Sequence, residues 1–305
     1  MSELKIGLVG LDTSHAKVFT RIINDPSYEH HMPRAGRVVL GYPGGSPDFP
    51  ASINRVEGYT RELSESYGVR IAETPEQVAE EADLILLTAV DGRVHRSLFE
   101  RIVGYRKPVF VDKPFALTSE DARAIVRLGE QHGVPIMTSS VRRFAPELTA
   151  AVEDRSNGAV IGAECFGPIE FLPSNPGWFW YGIHTVEVLY AIMGPGCVSV
   201  TTTAAGAPES EHELVTGVWA DGRIGIARGN RIPNVSHGAF VHREKGTAYV
   251  NTASDGAQKY TLLLAEVIEM VRTGRPAVEP SVSVELIRFL EAANESRLTG
   301  KTVAL

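Results

Sequence analysis

The sequence predicts an α/β protein: a doubly wound parallel sheet, then an α+β domain with a mainly antiparallel, open sheet. Three observations carry this. A strand, helix, strand unit recurs through the first half of the chain. The strands "LILLTA" and "PVFV" are apolar throughout, as a parallel sheet covered by helices on both faces requires. Beyond Arg143 the pattern changes to alternating runs, two of them joined by Asp221 and Gly222, a pair that tolerates the positive φ values of a tight hairpin.

Taken in order, "KIGLVG" reads as a first strand, 14–24 as a helix and "RVVLGY" as a second strand. Helical stretches at 52–67, 75–82 and 93–104 lead into "GVRIAE", "ADLILLTA" and "KPVFVDKP", and "SEDARAIVRLGEQHG" leads into "VPIMTSS". The second part opens with a helix at 145–155 and a second carrying "GIHTVEVLYAIMG". Hairpins follow in "HELVTGVWADGRIGIARG" and "HGAFVHREKGTAYVNT", and helices at 260–273 and 281–297 end the order. The expected domains are 1–141 and 142–305, in line with 305 residues being too many for one small core.

Composition narrows the function classes. With 43% hydrophobic and 22% charged residues, the chain has the balance of an ordinary folded protein. A net charge of −7 and the absence of a Lys/Arg block argue against nucleic acid or anionic lipid as partners. Cys165 and Cys197 have neither metal-ligand nor disulfide spacing, so buried free thiols in a reducing compartment are expected. With no long apolar run and no signal-like N-terminus, the expected location is the cytoplasm, without membrane contact.

Several motifs then occur in a fixed order: the Gly10 turn, "TAVDGRVH" after the fourth strand, "VDKPFALT" after the fifth, "RRFAPEL", "GIHTVEVLYAIMG" and "EAANESRLTGKTVAL". Together they resemble the Gfo/Idh/MocA oxidoreductase family over nearly the whole chain. The resemblance implies a Rossmann domain binding NAD or NADP, a second domain that often supports a homo-oligomer (dimer or tetramer), and oxidation or reduction of a sugar, polyol or related small-molecule substrate. Carried over by motif, the catalytic positions are Lys113 and His184.

The chemistry of these residue types agrees. Hydride loss from an alcohol carbon requires the hydroxyl proton to leave as the carbonyl forms, so a base must sit within hydrogen-bond reach. The ordinary titration range of His184 suits it. Lys113, at a strand's C-terminal end, is placed to orient the hydroxyl and stabilise alkoxide character, or to act as the base once burial lowers its pKa. Both assignments stand at this point. Tyr181, His184 and Glu187 share a helix face, which with Arg143 makes Tyr181, Glu187 and Arg143 candidate substrate contacts. Gly10, Asp12, Thr13, Ser14 and His15 in the first turn, Thr88, Asp91 and His95 in the fourth loop, and Lys113 are the candidate cofactor contacts. No metal site is expected.

Two features depart from the dinucleotide fingerprint. Asp12 and His15 replace its second and third glycines, which admit the pyrophosphate and allow close helix packing. Asp12 either repels the pyrophosphate or turns aside to cap the helix that follows. The end of the second strand lacks the acid that would meet an adenosine ribose and continues "GYPGGSPDFP" instead, leaving NAD against NADP open. The alternative function is a non-redox lyase, isomerase or hydrolase on a sugar-like substrate, with Asp12, His15, Asp91, His95, His184 and Glu187 converging in one cleft.

Overall fold

The computed structural model describes residues 3–205, 212–231, 233–253 and 256–305. The chain forms two compact units that interleave in sequence: the first holds residues up to Ala116, Glu120–Ser139 and Tyr260–Ser281, and the second holds Leu117–Ser119, Ser140–Lys259 and Val282–Leu305. The chain thus enters the second unit at Leu117, at Ser140 and at Val282, and returns to the first at Glu120 and at Tyr260.

In the first unit, strands β1 (Lys5–Val9), β2 (Arg37–Tyr42), β3 (Arg70–Ile71), β4 (Leu84–Leu87), β5 (Val109–Val111) and β6 (Ile136–Thr138) form one sheet in the order β3-β2-β1-β4-β5-β6. Every pairing is parallel. Helices α1 (Ser14–Asn24), α2 (Pro50–Tyr67), α3 (Pro75–Glu81), α4 (His95–Ile102) and α5 (Ser119–His132) alternate with the strands. β4 is buried at every position, which explains its unbroken apolar sequence. Chain order reverses between β1 and β4, the switch point at which open α/β sheets bind ligands beyond the strands' C-terminal ends. The returning segment supplies buried Leu263, Leu264, Val267 and Met270.

In the second unit, α6 (Pro146–Glu153), β7 (Val160–Ile169) and α7 (Gly182–Met193) precede β8 (Cys197–Ala204), β9 (His212–Trp219), β10 (Ile224–Arg231), β11 (Gly238–Arg243) and β12 (Gly246–Asn251). α8 (Gln258–Thr273), α9 (Pro280–Thr299) and β13 (Val303–Ala304) complete the order, α8 joining the first unit from Tyr260 onward. The sheet runs β12-β11-β7-β10-β9-β8-β13 and is antiparallel except where β7 meets β10. The inner face beneath α7 is made of small residues: Ala163, Cys165, Ala227 and Ala239 are each at most 1% exposed. Gly167 and Gly225 continue it, and a Cβ at Gly225 would lie 2.8 Å from the Trp219 ring and 3.0 Å from Leu189. Small side chains there are what let the helix lie close to the sheet. Both cysteines are buried free thiols. Among the described residues, no helix is long and apolar enough to cross a membrane.

Candidate functional site

The turn after β1 is built around Gly10. Its φ is 94°, and a Cβ there would lie 2.3 Å from the Ala89 amide nitrogen, so glycine alone fits. The fully buried Thr88 hydroxyl donates to the Gly10 carbonyl at 2.6 Å, bracing the turn against the end of β4.

Asp12 does not cap α1. Thr13 does, its Oγ1 accepting from the His15 amide at 3.3 Å. The helix begins at Ser14, so Thr13 holds the capping position, and the Asp12 carboxylate finds donors that only the fold supplies: the Ser52 hydroxyl at 2.5 Å and the Val90 amide at 3.0 Å. Asp12 is 1% exposed. Burial lifts its carboxyl above the usual carboxylate range, against the hydrogen bonds from Ser52 and Val90. Among the described residues, the Thr13 and Ser14 amides take no acceptor.

His15 also turns inward. Its Nδ1 lies 2.7 Å from Asp112 Oδ2, and its ring stands 5.5 Å from those of both Phe19 and Tyr260. Asp112, at the end of β5, accepts the Lys113 amide on its other oxygen at 2.8 Å. Burial opposes its ionisation, but the nearby charges of His15 and Lys113 and the His15 hydrogen bond outweigh it and hold the carboxyl below its ordinary value. The buried pair therefore braces the turn that carries Lys113.

The fourth loop is occupied with its own contacts. Asp91, 1% exposed, receives Arg93 through both the amide and the guanidinium, and Arg93 also grips Asp48 at 2.7 and 2.8 Å. Burial works against the Asp91 charge, yet the Arg93 and Ser46 hydrogen bonds keep its carboxyl below the usual range. This ion pair ties the segment after β2 to the segment after β4. His95 is fully buried, with Nε2 2.7 Å from the Ala89 carbonyl and Nδ1 3.2 Å from that of Phe115. Asp12, Asp91 and His95 each hold their own protein partners.

In the second unit, the half-buried His184 on α7 has its Nδ1 2.6 Å from the fully buried Ser140 hydroxyl. Glu187, one turn on and 3% exposed, accepts Arg143 Nε at 3.2 Å. Tyr181 immediately precedes the helix, its ring 5.7 Å from that of Trp180. The sequence reading did not single out Ser140 or His237. His237 is 5% exposed, and its ring lies 6.3 Å from that of His184. Burial, then the charges of Arg142 and Lys259, depress its pKa to about 3. A hint was available, since His237 opens a predicted strand, but its partners lie far away in sequence.

A parallel sheet in the order β3-β2-β1-β4-β5-β6, with a glycine turn after its first strand, defines the Rossmann class of dinucleotide-binding domain. Residues 4–140 match the GFO_IDH_MocA family, described as "Oxidoreductase family, NAD-binding Rossmann fold". The inositol 2-dehydrogenase of Rhizobium meliloti (strain 1021) is 28% identical over 169 residues, covering 52% of this chain and 48% of that protein. The D-apiose dehydrogenase of Paraburkholderia graminis is 37% identical over 93 residues, 30% of this chain and 24% of that one. The matched parts are thus less than half the length of these curated relatives. A crystal structure of a putative myo-inositol dehydrogenase from Sinorhizobium meliloti 1021 superposes with a TM-score of 0.81 at 18% identity, covering 99% of both chains, a likeness of fold.

Proposed function

We propose that the protein is an NAD(P)-dependent oxidoreductase acting on a sugar or polyol, with Lys113 and His184 sharing the proton handling. The match of residues 4–140 to an NAD-binding oxidoreductase family supports the redox class, and two of the proteins the chain resembles are named inositol 2-dehydrogenase and D-apiose dehydrogenase. The observation that carries the reading for this chain is the inward turn of Asp12. With its carboxylate on Ser52 and Val90, the feature that seemed to bar a pyrophosphate is removed from the turn. The Thr13 and Ser14 amides, at the positive end of α1, are then the groups that would hold the phosphates.

A bound nicotinamide dinucleotide supplies the hydride acceptor. The chain's own part is to bind the alcohol, orient it and take its proton. Ser140 holds Nδ1 of His184, which fixes the ring that would take the hydroxyl proton. Lys113, on a backbone turn held by Asp112, stabilises developing alkoxide charge. Arg143, paired with Glu187, and Tyr181 serve the substrate. The outer face of the second sheet exposes Ile224, Phe240 and Tyr249, apolar side chains suited to a homo-oligomer.

Fluorescence titration with NADH and NADPH tests the cofactor. Saturable binding is expected, and none at about 1 mM, where binding is worth only about 4 kcal/mol, overturns the assignment. Lys113→Ala and His184→Asn are each expected to lower kcat about 100-fold or more, His184→Asn while leaving dinucleotide affinity nearly unchanged.

A further inference from the structure

His15 occupies the third glycine position of the dinucleotide fingerprint, but its contacts are with the protein. Its amide is given to Thr13 Oγ1 and its Nδ1 meets Asp112 Oδ2, while its ring, with the residue only 7% exposed, lies against Phe19 and Tyr260. Asp112 is 2% exposed. Among the described residues its carboxylate has two hydrogen-bond partners, the His15 ring on Oδ2 and the Lys113 amide on Oδ1. His15, Asp112, Lys113 and Tyr260 all belong to the first unit.

A carboxylate buried this deeply keeps its charge only while donors and positive groups meet it. The charges acting on Asp112 are those of His15 and Lys113, and Tyr260 of α8 is the further ionisable group packed on the His15 ring. Such an interaction is mutual. If the Lys113 charge favours the Asp112 carboxylate, that carboxylate equally favours the Lys113 ammonium. Without a donor at position 15, Oδ2 would be a buried acceptor with nothing to accept, and the carboxyl would be driven toward its protonated form. Lys113 would then lose its negative neighbour.

We propose that His15 is a positioning residue for Lys113: its Nδ1–H holds Asp112 as a carboxylate with one oxygen on the Lys113 turn, so that the lysine meets a substrate as an ammonium ion. Lys113 then supplies positive charge to a developing alkoxide. The proposal rests on the oxidoreductase reading only in giving Lys113 a substrate, because the ionisation of Lys113 is measurable without dinucleotide.

The test is an NMR titration of the full chain isotope-labelled at lysine Cε, with the Lys113 resonance assigned by its loss in Lys113→Arg. Removing a neighbouring opposite charge moves a titration by about one pH unit or more, so Lys113 is expected to titrate at least that much lower in His15→Leu and in Asp112→Asn than in wild type. His15→Asn, whose amide nitrogen stands in for Nδ1, is expected to restore most of the difference. A role confined to packing would lower the melting temperature of all these variants and leave the Lys113 titration where it was, which overturns the proposal. Asp112→Asn preserves side-chain shape and gives the same readout if His15→Leu does not fold. In wild type, a neutral His15 ring protonated at Nε2 alone, read from its nitrogen shifts, overturns the proposal without any variant. In turnover assays of His15→Leu, the limb of the kcat profile set by Lys113 should move down with the titration while NADH affinity stays within about threefold. An NADH affinity lost in step with kcat would place His15 at the phosphates and overturn the proposal. Failure of the NADH and NADPH titrations would strike the oxidoreductase reading and leave the Lys113 shift standing.

Discussion

Lowering the pH from 8 to 5 is expected to cost the second unit about 2 kcal/mol through His237 alone. In the folded chain, burial and the charges of Arg142 and Lys259 hold this imidazole at about 3. In the unfolded chain it titrates near 6.5, the ordinary value for histidine. Between these two values only the unfolded state takes up the proton. Stability contributed by the neutral ring is therefore whole above the unfolded pKa and declines as the pH falls below it. Each pH unit is worth about 1.4 kcal/mol, and pH 5 lies about 1.5 units below the unfolded value, which gives the figure of about 2. The three tryptophans, Trp178, Trp180 and Trp219, all belong to the second unit, so their fluorescence during urea unfolding reports on this unit. Carboxylates titrate in the same range, so the informative quantity is the pH 8 to 5 loss in wild type minus that in His237→Gln, where the titrating group is gone. An equal loss in both proteins, or an NMR titration placing the folded imidazole above pH 5, would refute the reasoning.

Three further outcomes follow from the first unit. Asp12→Asn should raise affinity for NADH less than about threefold, because the carboxylate already faces Ser52 and Val90; a gain of tenfold or more by titration, about 1.4 kcal/mol, would mean that it had been repelling the phosphates. Asp112→Asn or His15→Ala should cost about 1.5–3 kcal/mol in chemical denaturation, the worth of a buried hydrogen bond to a charged group, and a loss below about 0.5 would refute that role. The Asp112 charge sits below its ordinary pKa, so its contribution is complete above about pH 4 and should fade as acid drives the pH down through the folded value. Gly10→Ala adds a Cβ 2.3 Å from the Ala89 amide nitrogen at a φ of 94° and should cost about 1–3 kcal/mol, together with dinucleotide binding. A melting temperature and an NADH titration unchanged from wild type would contradict the turn geometry.

Much of the architecture was legible in the chain itself. The run "RVVLGY" became β2 residue for residue, and the helix expected at 14–24 became α1, because short-range apolar periodicity and a capping residue largely decide such elements. Asp221 and Gly222 do join β9 to β10, as turn chemistry demands. β7 was less visible: "VIGAECFGPI" carries glycines and a proline instead of a clean alternation, and its inner positions are small because α7 lies against them.

The residue types of the candidate site could be listed from motifs alone, but their orientations could not. Asp12 was expected to repel a phosphate or cap a helix; the cap is Thr13 instead, and the donors to Asp12 come from positions 52 and 90. His15 meets its acid 97 residues away. His237 acquires its character from burial and then from Arg142 and Lys259, which no local pattern connects to it. Backbone conformation is set largely by neighbours along the chain and by the period of apolar residues, so sequence determined the elements and their order. The protonation state and direction of a buried polar group depend on desolvation and on partners that meet only when distant segments pack, and those the tertiary structure alone decided.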